Sequence, residues 1–199
     1  MKVIAVTGGI ACGKTTLVSA LKKRGAFIID ADAVSRELTK PGGAALPDIL
    51  SAFGQEVFGE DGELNRKALG DMIFADGEKR EKLNGIIHPL VEREVKRQLK
   101  IARDGNERVA ILDIPLLYEA HMENLCDEVW CAYLDRNMQL ERLMARDHLP
   151  RGEALMRIES QMPLEEKAKR ADKVINTGGS ILKSADIITS LYEKKIEVL

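Results

Sequence analysis

The sequence contains few cysteines, and their positions exclude the usual metal-binding patterns. The 199-residue chain has three of them, Cys12, Cys126 and Cys131, without metal-ligand spacing. Before Cys12 only Lys2 supplies positive charge and the apolar run is short, so we do not expect a signal peptide. An odd number of cysteines without such a signal is typical of reduced thiols, and we therefore expect a cytoplasmic protein.

The chain also lacks a long apolar run and an excess of charge of one sign. No stretch is long enough to cross a membrane. The 30 basic residues are balanced by 32 acidic ones, which does not favour nucleic-acid binding by bulk charge. We also find no repeat, linker or low-complexity tract. The sequence thus predicts one soluble domain that acts without nucleic acid, membrane or an obligate protein partner.

A phosphate-binding loop is the most informative motif that is present. Gly8–Thr15 reads G-G-I-A-C-G-K-T and matches G-x-x-x-x-G-K-[ST]. The apolar run Val3–Thr7 precedes it as a strand would, and Thr16–Leu21 fits the start of a helix. Glycines let backbone N–H groups surround phosphate oxygens, and the helix N-terminus adds partial positive charge. We expect Lys14 to reach the β- and γ-phosphates and the Thr15 hydroxyl to bind Mg²⁺.

Short apolar runs alternate with helical patterns along the rest of the chain. The predicted strands are Val3–Thr7, Ala26–Ile29, Val109–Leu112, Val129–Leu134 and Lys173–Ile175. Strands separated by helices predict an α/β fold with a parallel sheet, whose functional groups gather at the carboxyl ends of the strands. Asp30, Asp32, Asp113 and Asp135 lie at or just past such ends.

The long segment between the second and third predicted strands has helical spacing. An apolar stripe follows Pro89, and a closing helix is predicted to begin after a cap at Ser180. We expect His88, directly before that proline, to be a structural turn residue. The alternative is an imidazole that contacts a phosphate or a hydroxyl group.

Three aspartates are candidates for chemistry. Asp113 ends a strand of the kind that supplies a second Mg²⁺-linked carboxylate, although a strand-end turn residue is the alternative. In Asp30-Ala31-Asp32 only one carboxylate needs to face the loop, where it would orient a hydroxyl group and take its proton. Helix capping is the alternative role, and we expect it for Asp30.

An arginine-rich helix–break–helix follows the fourth predicted strand. Its arginines are Arg142, Arg146, Arg151 and Arg157, and the helix breaks at Leu149–Gly152. Such a segment suits a lid that closes over phosphates and neutralises their charge. The alternative is a solvated charged helix. A nucleotide-operated switch is disfavoured, because the chain has no Asn-Lys-x-Asp guanine motif. A nucleoside-monophosphate or sugar-acid kinase remains a second possibility.

Blocks throughout the chain resemble the dephospho-coenzyme A kinase family. They are Asp30-Ala31-Asp32, Gly62-x-Leu64-x-Arg66-x-x-Leu69, His88-Pro89, Leu112-Asp113-Ile114-Pro115-Leu116-Leu117-Tyr118-Glu119, Gln139-x-x-Arg142, Arg157-x-x-x-Gln161 and Ala171-Asp172-x-Val174-Ile175-x-Thr177. The D-A-D and D-I-P-L-L-Y-E blocks in this order are far more specific than the loop alone.

The resemblance implies a P-loop NTPase fold with a five-stranded parallel sheet flanked by helices. It implies a core at 1–60, 106–138 and 170–199, a helical acceptor-binding insert at 61–105 and a lid at 139–169. The implied reaction transfers the γ-phosphoryl group of ATP to the ribose 3′-hydroxyl of dephospho-coenzyme A, with Mg²⁺, in the final step of coenzyme A biosynthesis.

The resemblance also implies roles for individual residues. Asp32, Lys14 and Arg142 are the implied catalytic residues, with Asp32 as the base, and Thr15 and Asp113 are the implied metal ligands. The implied ATP contacts are Gly9, Ala11, Cys12, Gly13, Lys14, Thr15, Thr16, Arg146 and Asn176. The implied acceptor contacts are Asp32, Arg66, His88, Leu116, Leu117 and Tyr118.

The loop departs from the family pattern, which usually has Gly-Ser at Ala11-Cys12 and Ser at Thr15. Thr15 retains the hydroxyl group, so metal binding should survive. Ala11 introduces no strain unless the backbone at this position needs a positive φ, which strains a residue other than glycine. We expect Cys12 to be a small filler in place of serine. The alternative hypothesis is a thiol of lowered pKa that alkylating reagents label and Mg-ATP protects.

Overall fold

The computed structural model describes residues 1–198 and contains a five-stranded sheet at its centre. The strands are β1 Lys2–Gly8, β2 Phe27–Asp30, β3 Val109–Asp113, β4 Glu128–Tyr133 and β5 Lys173–Asn176. Their spatial order is β2-β3-β1-β4-β5. β1 pairs in parallel with β3 and β4, and β4 pairs in parallel with β5. All five predicted strands are confirmed, each to within one residue at either end.

Helices connect the strands, as the alternating pattern predicts. They are α1 Lys14–Lys23, α2 Ala31–Leu38, α3 Leu46–Phe53, α4 Arg66–Ala75, α5 Gly77–Asp104, α6 Arg136–Asp147, α7 Arg151–Glu159, α8 Leu164–Arg170 and α9 Ile181–Val198. Two short 3₁₀ turns occupy Gln55–Val57 and Glu123–Leu125. The closing helix begins directly after Ser180, as predicted. No helix within residues 1–198 is long and apolar enough to cross a bilayer.

The described chain divides into two compact units. Residues Asp30–Gln98 form one unit, and the rest of the described chain, with most of the sheet, forms the other. The sheet unit buries Ile4, Leu17 and Trp130 completely. The smaller unit has its own apolar cluster, built from Ala45, Ile49, Phe53, Val57 and Leu69. The insert and lid boundaries implied by the family resemblance stay predictions.

The expected turn at His88 is wrong, because α5 continues through Pro89 to Asp104. A proline inside a helix cannot donate to the carbonyl four residues earlier, and its ring crowds that carbonyl. Here the earlier residue is Gly85, which has open space where a Cβ would stand. Apolar residues on both sides of the proline, including Ile87 and Val91, are packed against neighbours or buried. This packing holds the two halves of the helix together.

Glu128 at the start of β4 connects the sheet to α9. Its Oε1 accepts a hydrogen bond from Nε1 of the buried Trp130 at 2.8 Å, and its Oε2 lies 2.5 Å from Nζ of Lys195. Burial by itself raises the pKa of Glu128, but the hydrogen bonds from Lys195 and Trp130 outweigh it, so the pKa lies below the ordinary value. The folded protein therefore favours the ionised carboxylate.

We predict that Glu128→Gln lowers the free energy of unfolding at pH 7 by about 1 kcal/mol, because a partly buried charge-assisted pair is lost. The depressed pKa means that this stability is present above the ordinary value of 4.5 and is lost as the pH falls below it. Urea unfolding at pH 7 and at pH 3 measures both effects. Glu197→Gln, on the exposed end of α9, is the control. An equal loss at both pH values would contradict the linkage.

Candidate functional site

The predicted phosphate loop lies between β1 and α1 and opens the first turn of the helix. Gly13 caps α1 with a φ of 85°, a left-handed conformation that glycine adopts without strain. A Cβ there would also lie 3.4 Å from the Thr177 side chain. The first turn of α1 contains no acidic residue, and the Thr16 N–H donates to the Gly13 carbonyl at 3.0 Å. This strand–loop–helix arrangement is suited to binding an anion.

Lys14 and Asp113 form an ion pair beside this helix end. The pair forms because parallel pairing sets Asp113, at the end of β3, opposite Val6 of β1. Both side chains are 13% exposed, so solvent screens their attraction only in part. The structure therefore brings together the residue predicted to bind phosphate and one of the two predicted to bind Mg²⁺. Thr15, the other predicted metal ligand, is exposed in the first turn of α1.

Side chains distant in sequence hold the backbone of the loop. Gln161 Oε1 accepts a hydrogen bond from the Ile10 N–H at 2.9 Å, and Gln139 Nε2 donates to the Ile10 carbonyl at 2.8 Å. The Thr177 hydroxyl donates to the Cys12 carbonyl at 2.6 Å. Sequence reasoning gave no role to these three side chains. Both glutamines lie in blocks shared with the family, which was the available signal.

The predicted lid contains the expected helix–break–helix, formed by α6 and α7. α6 ends at Asp147, and α7 begins at Arg151, directly after Pro150. Arg142 donates to the Thr177 carbonyl at 2.9 Å and so is connected to the loop through that residue. Arg146 instead donates to Asp147 at 2.7 and 3.0 Å, and this hydrogen bond holds the pKa of Asp147 below its ordinary value. The two arginines therefore have different partners.

A cavity of about 440 Å³ lies at the ends of β4 and β5, where Asn176 was predicted to contact ATP. Its lining includes Tyr133, Met138, Asn176 and Ile187, so it combines apolar surface with an amide group. Asn176 Oδ1 accepts a hydrogen bond from the Gly178 N–H at 2.8 Å. A cavity of this kind suits a flat ring with a few polar edges.

In the smaller unit, Asp30 and Asp32 have different roles around the start of α2. Asp30 Oδ1 accepts from the Ala33 N–H at 2.8 Å, which confirms the expected helix cap. Asp32 lies in the first turn of α2 and is exposed. Arg66, at the start of α4, donates to the carbonyls of Arg36 and Thr39 at 3.3 Å. His88 is half-buried on α5.

The three predicted acceptor contacts after β3 differ in exposure. Leu116 is 40% exposed, whereas Leu117 and Tyr118 are buried. The Tyr118 ring packs against the Arg170 guanidinium, 4.1 Å from the ring centre. Burial raises the pKa of Tyr118 to about 12. Leu116 is therefore the member of this group that a ligand can touch directly, with the other two beneath the surface.

Ala11 and Cys12, which stand where the family pattern usually has Gly-Ser, affect the loop in different ways. Ala11 has a φ of 58°, so it occupies the left-handed region that strains a residue with a Cβ. Cys12 is only 1% exposed, and burial raises its thiol pKa. Its Sγ fills the space beside Gly8, where an added Cβ would lie 2.6 Å away. The hypothesis of a reactive Cys12 with a lowered pKa is wrong, because burial outweighs the nearby Lys14.

We predict that Ala11→Gly raises the free energy of unfolding by about 1 kcal/mol, because glycine adopts a positive φ without strain. Urea unfolding measures the change. Ala20→Gly, inside α1, is the matched control and should lower stability by a similar amount. A loss of stability in both variants would show that the left-handed conformation of Ala11 carries no strain.

Comparison with known proteins shows the family to which the chain belongs. The family model for dephospho-CoA kinase matches residues 2–183. A dephospho-CoA kinase of Carboxydothermus hydrogenoformans is 43% identical over 194 residues, covering 98% of this chain and 94% of the relative.

Two solved structures are similar over almost the whole chain. A protein from Thermus thermophilus has a TM-score of 0.82 and 30% identity, covering 97% of both chains. A dephospho-CoA kinase from Campylobacter jejuni has a TM-score of 0.74 and 28% identity, covering 99% of this chain and 98% of its own. The sheet, the phosphate loop and these matches agree. The chain belongs to the dephospho-CoA kinase family, the ATP-dependent kinases that carry out the final step of coenzyme A biosynthesis.

Proposed function

We propose that the loop Gly8–Thr15 binds the phosphates of Mg-ATP and that the γ-phosphoryl group passes to the ribose 3′-hydroxyl of dephospho-coenzyme A. The observation that carries this proposal is the Lys14–Asp113 pair beside the N-terminus of α1. An ammonium group, a carboxylate and the N-terminus of a helix in one place suit a nucleotide and its metal. Action in the cytoplasm, without an obligate protein partner, is part of the same proposal.

Nucleotide binding would rearrange this pair. The phosphates compete with Asp113 for the Lys14 ammonium group, and a cation would take the place of Lys14 beside the carboxylate. Mg²⁺ prefers oxygen ligands and is usually held by one or two protein groups together with phosphates. The Thr15 hydroxyl and the Asp113 carboxylate fit that requirement, and residues 1–198 contain no cluster of acidic, histidine or cysteine side chains that would hold a metal alone. The bound ion would neutralise charge on the transferring group.

The remaining nucleotide contacts extend from the loop into the predicted lid. We assign the adenine ring to the cavity that Asn176 lines, since it offers apolar surface with an amide at its edge. Arg142, which reaches the loop through Thr177, is placed to stabilise charge on the phosphates. Arg146 would first have to leave Asp147, so we assign it the lesser role.

Acceptor activation is assigned to Asp32. Its carboxylate is exposed in the first turn of α2. As the new P–O bond forms and the bond to the ADP oxygen breaks, the proton of the 3′-hydroxyl passes to Asp32. Arg66, His88 and Leu116 are assigned to acceptor binding.

The first experiment measures ADP release from Mg-ATP with dephospho-coenzyme A as acceptor. AMP and water alone are the controls, and ³¹P NMR locates the transferred phosphate. We expect release that depends on dephospho-coenzyme A and a product with phosphate at the 3′-position. Turnover with AMP instead would assign this chain to nucleotide phosphorylation, and hydrolysis without an acceptor would favour a nucleotide-operated switch.

We predict that Asp32→Asn lowers kcat by ~10²–10⁴-fold, because the amide cannot accept the hydroxyl proton. The Kd for Mg-ATP should change little. Steady-state kinetics and calorimetric titration measure the two quantities. Asp30→Asn is the matched control, since asparagine also caps a helix. Near-normal turnover by Asp32→Asn would show that Asp32 is not the base.

A further inference from the structure

Both backbone polar groups of Ile10 are hydrogen-bonded by glutamine side chains from the predicted lid. Gln161 Oε1 accepts a hydrogen bond from the Ile10 N–H at 2.9 Å, and Gln139 Nε2 donates one to the Ile10 carbonyl at 2.8 Å. The next residue, Ala11, has a left-handed φ of 58°, and the Cys12 N–H that follows it donates to the Gly9 carbonyl at 3.2 Å. Adjacent peptide planes are related only by the φ and ψ angles of the residue between them. Fixing Ile10 therefore restricts the orientation of the N–H groups that follow.

Gln139 can approach the loop closely because residue 9 is a glycine. Gln139 lies on α6 and is 3% exposed. A Cβ on Gly9 would stand 2.6 Å from Gln139 Nε2, so a larger residue at this position would displace the amide group. Gly9 is needed for this close approach rather than for an unusual backbone angle, because its φ is not in the left-handed region.

Gln161 lies between helices, so its position depends on other contacts. α7 ends at Glu159 and α8 begins at Leu164. Between them, the Met162 N–H donates to Glu119 Oε1 at 2.9 Å. The same carboxylate oxygen lies 2.7 Å from Nζ of Lys167. The backbone next to Gln161 is therefore held by an ion pair.

Burial of Lys167 keeps its ammonium group with its polar partners. The Lys167 side chain is 0% exposed, and a buried ammonium group must keep charged or polar partners. It has two, Glu119 and the Pro115 carbonyl at 2.8 Å, and that carbonyl also accepts from the Thr7 hydroxyl at 3.0 Å. Thr7 belongs to β1, directly before the loop. A chain of bonds thus connects the end of β1 to Gln161, which returns to the loop at Ile10.

We propose that Gln161 and Gln139 are positioning residues that hold the phosphate loop in its nucleotide-binding conformation, with Glu119 and Lys167 fixing Gln161. The inference rests on the proposed binding of nucleotide phosphates by the loop. A loop whose N–H groups already point at the phosphates loses less conformational freedom on binding. The glutamines therefore act on nucleotide affinity through Ile10, without touching the nucleotide.

The test uses Gln161→Met and Gln139→Met, which keep side-chain length but remove one hydrogen bond each. Calorimetric titration with Mg-ADP and steady-state KM values for ATP and dephospho-coenzyme A are measured on the full chain. Gln55→Met, at an exposed site in the other compact unit, is the matched control. We expect each loop variant to raise the Kd for Mg-ADP and the KM for ATP about tenfold. The KM for dephospho-coenzyme A should stay within twofold.

The possible results distinguish failure of the proposed nucleotide site from failure of the positioning role of the two glutamines. Failure of the unaltered protein to bind Mg-ADP would overturn the proposed nucleotide site itself. Binding by the unaltered protein, with loop variants that match Gln55→Met in Kd and KM, would overturn only the positioning role, even if their melting temperatures fall. If one variant does not fold, the other decides, because both glutamines bond to the backbone of the same residue, Ile10.

The double variant Glu119→Gln/Lys167→Met tests how Gln161 is fixed. It removes both charges of the pair but keeps an acceptor for the Met162 N–H. We expect its Kd for Mg-ADP to lie within about twofold of the unaltered value, whereas Lys167→Met alone, which leaves the partly buried Glu119 without its cation, should weaken binding. Binding by both variants that matches the unaltered protein would show that the pair does not position Gln161.

Discussion

The parallel pairing of β1 on both of its edges is the constraint on which the site depends. The register sets Val6 opposite Asp113 of β3 and opposite Trp130 of β4, so the carboxyl ends of three strands meet at one edge of the sheet. At that edge Lys14, the first residue of α1, reaches Asp113. Partial burial makes their attraction stronger than that of a surface pair. The loop therefore folds where positive charge and a carboxylate are already close.

Residues 9–13 of the loop belong to neither the sheet nor a helix, and side chains from elsewhere in the chain help to hold them. Its backbone groups at Ile10 and Cys12 bond to the side chains of Gln139, Gln161 and Thr177. Ala11 remains in a strained left-handed conformation because the peptides on either side of it are held. The segment predicted to be a lid thus also contributes to the framework of the loop.

The arginines that cluster along the sequence do not share one environment in the fold. Arg142 bonds to the Thr177 carbonyl, while Arg146 and Arg157 both approach Asp147. Arg142 is therefore the cation of this cluster that is connected to the loop, whereas Arg146 and Arg157 are paired near the surface, where ion pairs contribute little stability. This division explains why the count of arginines in a segment is a weak guide to how many contact a phosphate.

The sequence by itself determined the five strands, the phosphate loop and the cap at Asp30, because apolar runs, glycine spacing and capping are local properties of neighbouring residues. Only the tertiary structure decided that α5 continues through Pro89, that Cys12 is buried and that Gln139 and Gln161 hold the loop. The two glutamines lie 129 and 151 residues from Ile10. Such contacts depend on how distant elements pack, and no local pattern encodes that packing.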